Sequence, residues 1–337
     1  MGSGYDGKYV GLGRVMIKTT VVIPNYNGIK YIDDCLASLY KGVVIPEIIV
    51  VDNHSEDGGL ALVKKKYPKV RLIIFTENKG FSAAVNAGIK AADTEYVLLL
   101  NNDTVADERM VVELEKALEE DARAFSAAAK MISLYAPERL DGTGDFYCAL
   151  GWAFARGKDK SRDAFHKPGR IFSACGGAAL YRRKLFDNIG YFDENHFAYL
   201  EDIDLGYRAN IYGYDNIYVP TAQVFHAGSA VSGSRHNPFK VSLSARNSVY
   251  LIYKNMPFLQ LLLNLPFLII GYLIKCLFFS LKGMGGIYLK GTLRGVRLSF
   301  SKAGREKKVR FCMRNLKNYI WIQGQLWLNM LRKAFQF

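Results

Sequence analysis

Acidic side chains all but vanish from the last quarter of the chain: residues 250–337 hold one acid, Glu306, against 15 lysines and arginines. The rest of the 337 residues is balanced, so the net charge of +14 belongs to one segment and is no general nucleic-acid signature. Cysteine is sparse as well. Cys35, Cys148, Cys175, Cys276 and Cys312 are odd in number, widely spaced and never in C-x-x-C, which argues against a disulfide framework or a zinc site and suits a reducing compartment. A P-loop, G-x-x-x-x-G-K-[ST], is absent. The first 18 residues are Gly-rich and lack an apolar core, so they read as a flexible arm or a tag scar rather than a signal peptide.

What remains is 50% hydrophobic and 23% charged, the composition of a chain that folds. Thr19–Pro24 is a short apolar run, and Ile29, Ile32, Leu36 and Leu39 follow at helical spacing. Further runs at Glu47–Val51, Val70–Phe75 and Tyr96–Leu100 alternate with helices expected over Leu60–Lys66 and Ser82–Ala92. Continuous apolar strands between helices predict a parallel sheet covered on both faces, whose ligands lie beyond the carboxyl ends of the strands. That rule selects Pro24-Asn25-Tyr26-Asn27, Asp52-Asn53-His54-Ser55 and Asn101-Asn102-Asp103. Beyond Asp121 the pattern loosens into Gly- and aromatic-rich stretches, expected to form an irregular substrate-facing half.

Met256–Leu281 carries one formal charge, Lys275, and is long enough to cross a bilayer at about 20 residues. A single crossing would put the basic tail on the side away from the preceding domain, against the positive-inside tendency. A hairpin or in-plane segment avoids that conflict, and Gln260, Asn264, Pro266 and Gly271 also suit a buried helix pair. An apolar run with a polybasic tail, including Lys302, Arg305, Lys307, Lys308 and Arg310, supplies the two signals that anchoring on an anionic membrane surface needs.

Each candidate site residue has an ordinary alternative. Asp103, at the open end of a buried strand, can hold a hard divalent cation, or Asn101–Asp103 can cap a helix expected over Asp107–Leu118. Asp52 can accept from a uracil or thymine N–H with Tyr26 against the base, or form a turn. Asn78-Lys79-Gly80-Phe81-Ser82 is not G-x-G-x-x-G, yet its Gly turn opens a helix whose N–H groups can face a phosphate. Glu201, Asp202 and Asp204 sit in an apolar frame. On a helix Asp202 lies about 100° from Glu201, and Asp204 about 200° from Asp202, so the three cannot share one cleft. A dipole-stabilising acid cluster is the alternative there. His226, after Val224-Phe225, is a packed or surface histidine or a ligand.

In order and spacing, Val21–Asn27, Ile49–Gly58, Glu77–Phe81, Asn86–Gly88, Leu98–Asp103, Cys175–Ala178, Leu200–Leu205 and Phe225-His226 resemble the family 2 glycosyltransferases, most closely their bacterial rhamnosyltransferase-like branch. The resemblance covers about Thr19 to Ser232. It implies an α/β GT-A fold: a Rossmann-like, mostly parallel sheet with helices on both faces. A catalytic domain over 19–249 would comprise a nucleotide-binding half (19–121) and an acceptor half (122–249), followed by membrane-associating helices over 250–337. By the same resemblance Pro24, Tyr26, Asp52, Asn78, Gly80 and Asn102 hold the nucleotide sugar, and Asp103 and His226 hold Mg²⁺ or Mn²⁺. Asp202 matches the general base, and Glu201 orients the acceptor. The family's D-x-D has become Asn101-Asn102-Asp103, without the first acid. The implied activity is inverting, metal-dependent sugar transfer to a lipid-linked or glycan acceptor in bacterial cell-surface polysaccharide synthesis, at the cytoplasmic face of the plasma membrane. Rhamnose from dTDP-rhamnose is the first expectation for the sugar. UDP-hexose or UDP-galactofuranose transfer, nucleotidyl transfer and nucleic-acid binding are the rivals. The sequons at Asn53 and Asn102 fall in the expected donor site and are read as chance matches.

Overall fold

Strand β1 (Thr19–Asn25) alternates its apolar side chains between two cores: Val21 and Ile23 pack on one face of the sheet, Val22 on the other. The same alternation runs through β2 (Glu47–Asp52) and β4 (Tyr96–Leu100), which is why these runs are apolar throughout. Helices α1 (Ile29–Tyr40) and α2 (Gly59–Lys66) cover one face and α3 (Gly80–Ala91) the other, while β3 (Arg71–Ile74) forms an edge. The computed structural model describes residues 17–228 and 236–334, so most of the expected N-terminal arm lies outside the described residues.

The chain then leaves the expected pattern. After β5 (Thr104–Ala106) and α4 (Met110–Glu120) comes β6 (Ala124–Ser133), ten residues long and central in the sheet. Short strands β7 (Leu140–Gly142), β8 (Asp145–Tyr147), β9 (Ala153–Ala155) and β10 (Gly169–Ile171) lead to β11 (Ala178–Arg182), α5 (Phe186–Ile189), α6 (Glu201–Ile211) and β12 (Asp215–His226). The main sheet runs β10-β12-β6-β11-β4-β1-β2-β3, and β8–β9 is a separate hairpin. Pairs β1–β2, β2–β3, β1–β4 and β6–β12 are parallel, whereas β11 is antiparallel to both β4 and β6. The second half is thus not irregular: its strands complete the first half's sheet. Pairing of β12 with β5 sets His226 opposite Thr104, which brings Asp103 beside it.

Helix α7 (Pro238–Asn255) runs across the expected limit at residue 249. It is tied to α6 and the loop before it by a buried ionic cluster: Lys254 Nζ lies 2.7 Å from Asp193 and 2.8 Å from Asp204, and Asp204 also pairs with Arg208 at 2.9 Å. Helices α8 (Phe258–Leu281), α9 (Gly285–Phe300), α10 (Lys302–Glu306) and α11 (Leu316–Ala334) follow. The amide residues Gln260 and Asn264 of α8 face inward. Gln260 accepts from the Tyr207 hydroxyl at 2.6 Å, Asn264 and Gln323 exchange bonds of 2.8 and 2.9 Å, and Trp152 Nε1 donates to the Gly271 carbonyl at 3.2 Å. The outer face of α8, with Phe258, Leu262, Ile269, Leu273, Leu277 and Leu281, is exposed.

Candidate active site

Beyond the carboxyl ends of β1, β2 and β4 opens a cleft of about 1230 Å³. Its walls include Pro24, Tyr26, Asn78, Gly80, Asn102, Asp103, Glu201, Asp202 and His226. A second cavity, about 480 Å³ between α1 and the start of α4, holds none of these groups.

Asn25 organises the floor at the ends of β1 and β2. Its Nδ2 donates to Asp52 Oδ1 at 3.0 Å, and its Oδ1 accepts from Asn102 Nδ2 at 2.8 Å. A Cβ at Gly28 would collide with both Asn102 and Asn25, so only glycine leaves room for the pair. Asp52 is 1% exposed and takes the Ser55 N–H at 3.0 Å with its other oxygen. It therefore lies beneath the cleft instead of lining it. Asn53 lines it in that place, donating to Asn78 Oδ1 at 2.9 Å and accepting from the Lys79 N–H at 2.8 Å. Asn78 Oδ1 also takes the Gly80 N–H at 2.9 Å, shaping the turn that starts α3. At φ +84°, Gly80 passes so near Phe197 that a Cβ would sit 2.5 Å from the Phe197 carbonyl.

Asn101–Asp103 do not cap a helix: β5 intervenes and α4 begins only at Met110. Asp103 Oδ1 lies 3.2 Å from His226 Nε2, and His226 Nδ1 lies 2.7 Å from Asp141 Oδ2. Burial would lower the imidazole, but its bonds to Asp103 and Asp141 prevail and hold it at about 9. Burial likewise opposes ionisation of Asp141, yet His226 and Lys158 bring it down to about 2. This donor set fits a divalent cation. Raised to about 9, the ring carries a proton on both nitrogens at neutral pH, Nδ1–H held by Asp141 and Nε2–H by Asp103; a cation on Asp103 would take the place of the Nε2 proton, with Asp141 behind the ring as the carboxylate usual behind a metal-bound histidine. Asp141 was not found from the sequence, where only its Gly-rich surroundings stood out.

The opposite wall comes from the start of α6. Phe197, Tyr199 and Leu200 all have positive φ, a strained turn that delivers the helix N-terminus to the cleft. Glu201 and Asp202 line the cleft, whereas Asp204 turns away to Arg208 and Lys254, as the helical angles require. Burial raises Asp202 above the ordinary carboxylate range, while the N–H groups of Ile203 and Gly176 pull it back. Glu201 is raised further, by burial and then by Asp202, and its Oε2 has no hydrogen-bond partner among the described residues. Asp145, on β8, is a second unforeseen group. Asp145, Cys175 and Asp202 bring candidate ligand atoms within 4.8 Å of one another. Burial keeps the Cys175 thiol protonated and Asp145 raised, so this trio suits a hard cation less well than Asp103 with His226. A buried carboxyl cluster facing a histidine–carboxylate pair across one cleft equips the site to accept a proton on one side and to neutralise an anion on the other.

Sheet and cleft together define the GT-A class of glycosyltransferases. The chain belongs to glycosyl transferase family 2, whose model matches residues 20–190, and it resembles the rhamnosyltransferases of that family. It is 28% identical over 232 residues to the N-acetylglucosaminyl-diphospho-decaprenol L-rhamnosyltransferase of Mycobacterium tuberculosis, covering 61% of this chain and 75% of that one. Among solved structures, GalNAc-T7 with UDP, GalNAc and Mn²⁺ has a TM-score of 0.58 at 16% identity, over 72% of this chain and 48% of that one. The mannosyltransferase PcManGT of Pyrobaculum calidifontis, in complex with GDP-Man and Mn²⁺, has a TM-score of 0.52 at 18% identity, over 86% of each chain. At these identities the structural likenesses bear on the fold alone.

Proposed function

We propose that the protein is an inverting, metal-dependent glycosyltransferase that moves rhamnose from dTDP-rhamnose to a hydroxyl of a lipid-linked glycan. The observation that carries the reading is one cleft holding the Asn53–Asn78 turn, the Asp103–His226 pair and Asp202. Pro24 and Tyr26 flank the base, and Asp52 acts from below by fixing Asn25 and the Ser55 backbone. Gly80 and Asn102 border the diphosphate. Asp103 and His226 would hold Mg²⁺ or Mn²⁺, which when bound neutralises charge developing on the leaving diphosphate. Mn²⁺ in the two structural neighbours supports this assignment.

Asp202 takes the proton of the acceptor hydroxyl as its oxygen attacks the anomeric carbon. The bond from that carbon to the diphosphate oxygen breaks as the new C–O bond forms on the opposite face, so configuration inverts. General-base assistance of this kind contributes about 10²- to 10⁴-fold. The N–H bonds from Ile203 and Gly176 keep Asp202 available in its ionised form, and Glu201 orients the acceptor.

The decaprenol-linked acceptor in the mycobacterial relative's name supports a lipid-linked acceptor. Helix α8 supports a place at the cytoplasmic membrane face. Its inner side is hydrogen-bonded to the domain, so it lies in the interfacial plane, outer leucines inserted and the basic tail on anionic headgroups. A thermal-shift panel of dTDP-rhamnose, UDP-galactofuranose, UDP-glucose and UDP-N-acetylhexosamines with Mn²⁺ tests the donor. The true donor at 100 times its Kd stabilises by about 2.7 kcal/mol. Preference for a UDP-hexose would replace rhamnose, and no response to any nucleotide sugar would overturn the reading.

A further inference from the structure

The cleft does not end at the carboxyl cluster. It continues past the β8–β9 hairpin into a groove between α7, α8 and α9, with Phe239 and Val241 on one side and Phe279 and Tyr288 on the other. The rings of Phe279 and Tyr288 stack at 5.3 Å, making this wall apolar. Lys275 lines the same groove. Its ammonium sits 5.7 Å from the centre of the Trp152 ring and makes no ion pair or hydrogen bond among the described residues. Lys254, in the same helical layer, is by contrast paired with two carboxylates. The Tyr288 hydroxyl, buried in the same wall, also lacks a partner among the described residues. A half-buried ammonium in an apolar groove without an anion is favourably paired when a ligand supplies one.

We infer that this groove is the acceptor's lipid subsite: Lys275 takes the diphosphate of a prenyl-diphosphate-linked acceptor, and Phe279, Tyr288 and Val241 take its first isoprene units. The occupant that suits the groove pairs one anionic group with an apolar chain, which a prenyl diphosphate does and a free sugar does not. The adjoining exposed face of α8 gives such a chain a route into the bilayer. The donor diphosphate is assigned to the opposite end of the cleft, at Asp103. The inference rests on the reading of a lipid-linked acceptor, but it names the groups that bind it.

The test titrates the full chain with farnesyl diphosphate, farnesol and inorganic diphosphate, following tryptophan fluorescence, with nucleotide-induced thermal stabilisation measured on the same samples. Farnesyl diphosphate should bind more tightly than either half alone. Lys275→Gln should weaken it by about ten- to hundredfold, Lys275→Arg should restore most of the affinity, and both should keep the nucleotide response. Equal binding of farnesyl diphosphate by wild type and Lys275→Gln overturns the inference while the glycosyltransferase reading stands. So does a loss confined to nucleotide affinity, which would place Lys275 at the donor. Tight binding of inorganic diphosphate alone would make the site one for free phosphate and overturn the lipid assignment. Loss of the nucleotide response in the wild type would instead count against the enzymatic reading itself.

Discussion

Replacing Lys254 with Met removes the cation that joins α7 to the loop before α6 and to α6 itself. Lys254 is 3% exposed and its partners Asp193 and Asp204 are 2% and 0% exposed. Asp204 would keep Arg208 at 2.9 Å and Asn255 at 2.8 Å. Asp193 would be left with the Tyr250 hydroxyl at 2.8 Å and the Asn195 N–H at 3.0 Å, and no cation. Breaking a buried pair from one side costs about 3–5 kcal/mol, and because one carboxylate keeps its arginine the low end, about 3 kcal/mol, applies here. At about 2–4 °C per kcal/mol that is a melting shift of roughly 6–12 °C, read by circular dichroism. Adding Asp193→Asn should recover part of the loss, since the stranded charge goes with it.

The pH dependence has a definite sign. Burial alone would raise Asp204, but Arg208 and Lys254 hold it well below the usual range, and Asp193 is lowered by Lys254 against the same burial. Their contribution is present above the unfolded value of about 3.9 and lost as pH falls through the lowered native values. In the Met variant those native values rise, so acid unfolding should begin at higher pH. A change below about 1 kcal/mol, or a double variant no better than the single one, would refute the reasoning.

Asp141→Asn should weaken Mn²⁺-dependent donor binding by about 10- to 100-fold in calorimetric titration, because Asp141 sets the His226 tautomer; unchanged Mn²⁺ dependence would remove it from the site. As the proposed base, Asp202 must be ionised, and burial raises it, so kcat/KM should climb with pH through a value above about 3.9; a limb at or below that value would point to another base. Changing Leu262, Leu273 and Leu277 together to Asp should release the protein from anionic liposomes while leaving nucleotide stabilisation intact; continued sedimentation with them would take α8 off the membrane.

The first half of the fold is legible because β1, β2 and β4 each carry an apolar run that ends in, or is followed at once by, Asn or Asp, and the helix starts at Gly59 and Gly80 fall within two residues of expectation. β6 is not legible for a local reason. Its Ala-Phe-Ser-Ala-Ala-Ala opening has low strand propensity, and only its position between β11 and β12 makes it a strand. Asp141 and Asp145 escaped notice because their roles arise from long-range pairing, with His226 85 residues away and with Asp202 on another element. Asp52 was found by its position at a strand end, but position does not say which way a side chain turns, and Asn25 draws it under the floor. In the sequence Lys254 counts only toward the basic last quarter and Lys275 only as the single charge of Met256–Leu281; the structure sets Lys254 between Asp193 and Asp204 and Lys275 beside Trp152.

The central claim is that a carboxylate on α6 accepts the proton while the Asp103 side steadies the leaving diphosphate. It is met most directly by single-turnover transfer in Asp202→Asn, with donor affinity measured on the same protein. The account predicts unchanged donor affinity and a rate lower by about two decades or more. Transfer near the wild-type rate would contradict it.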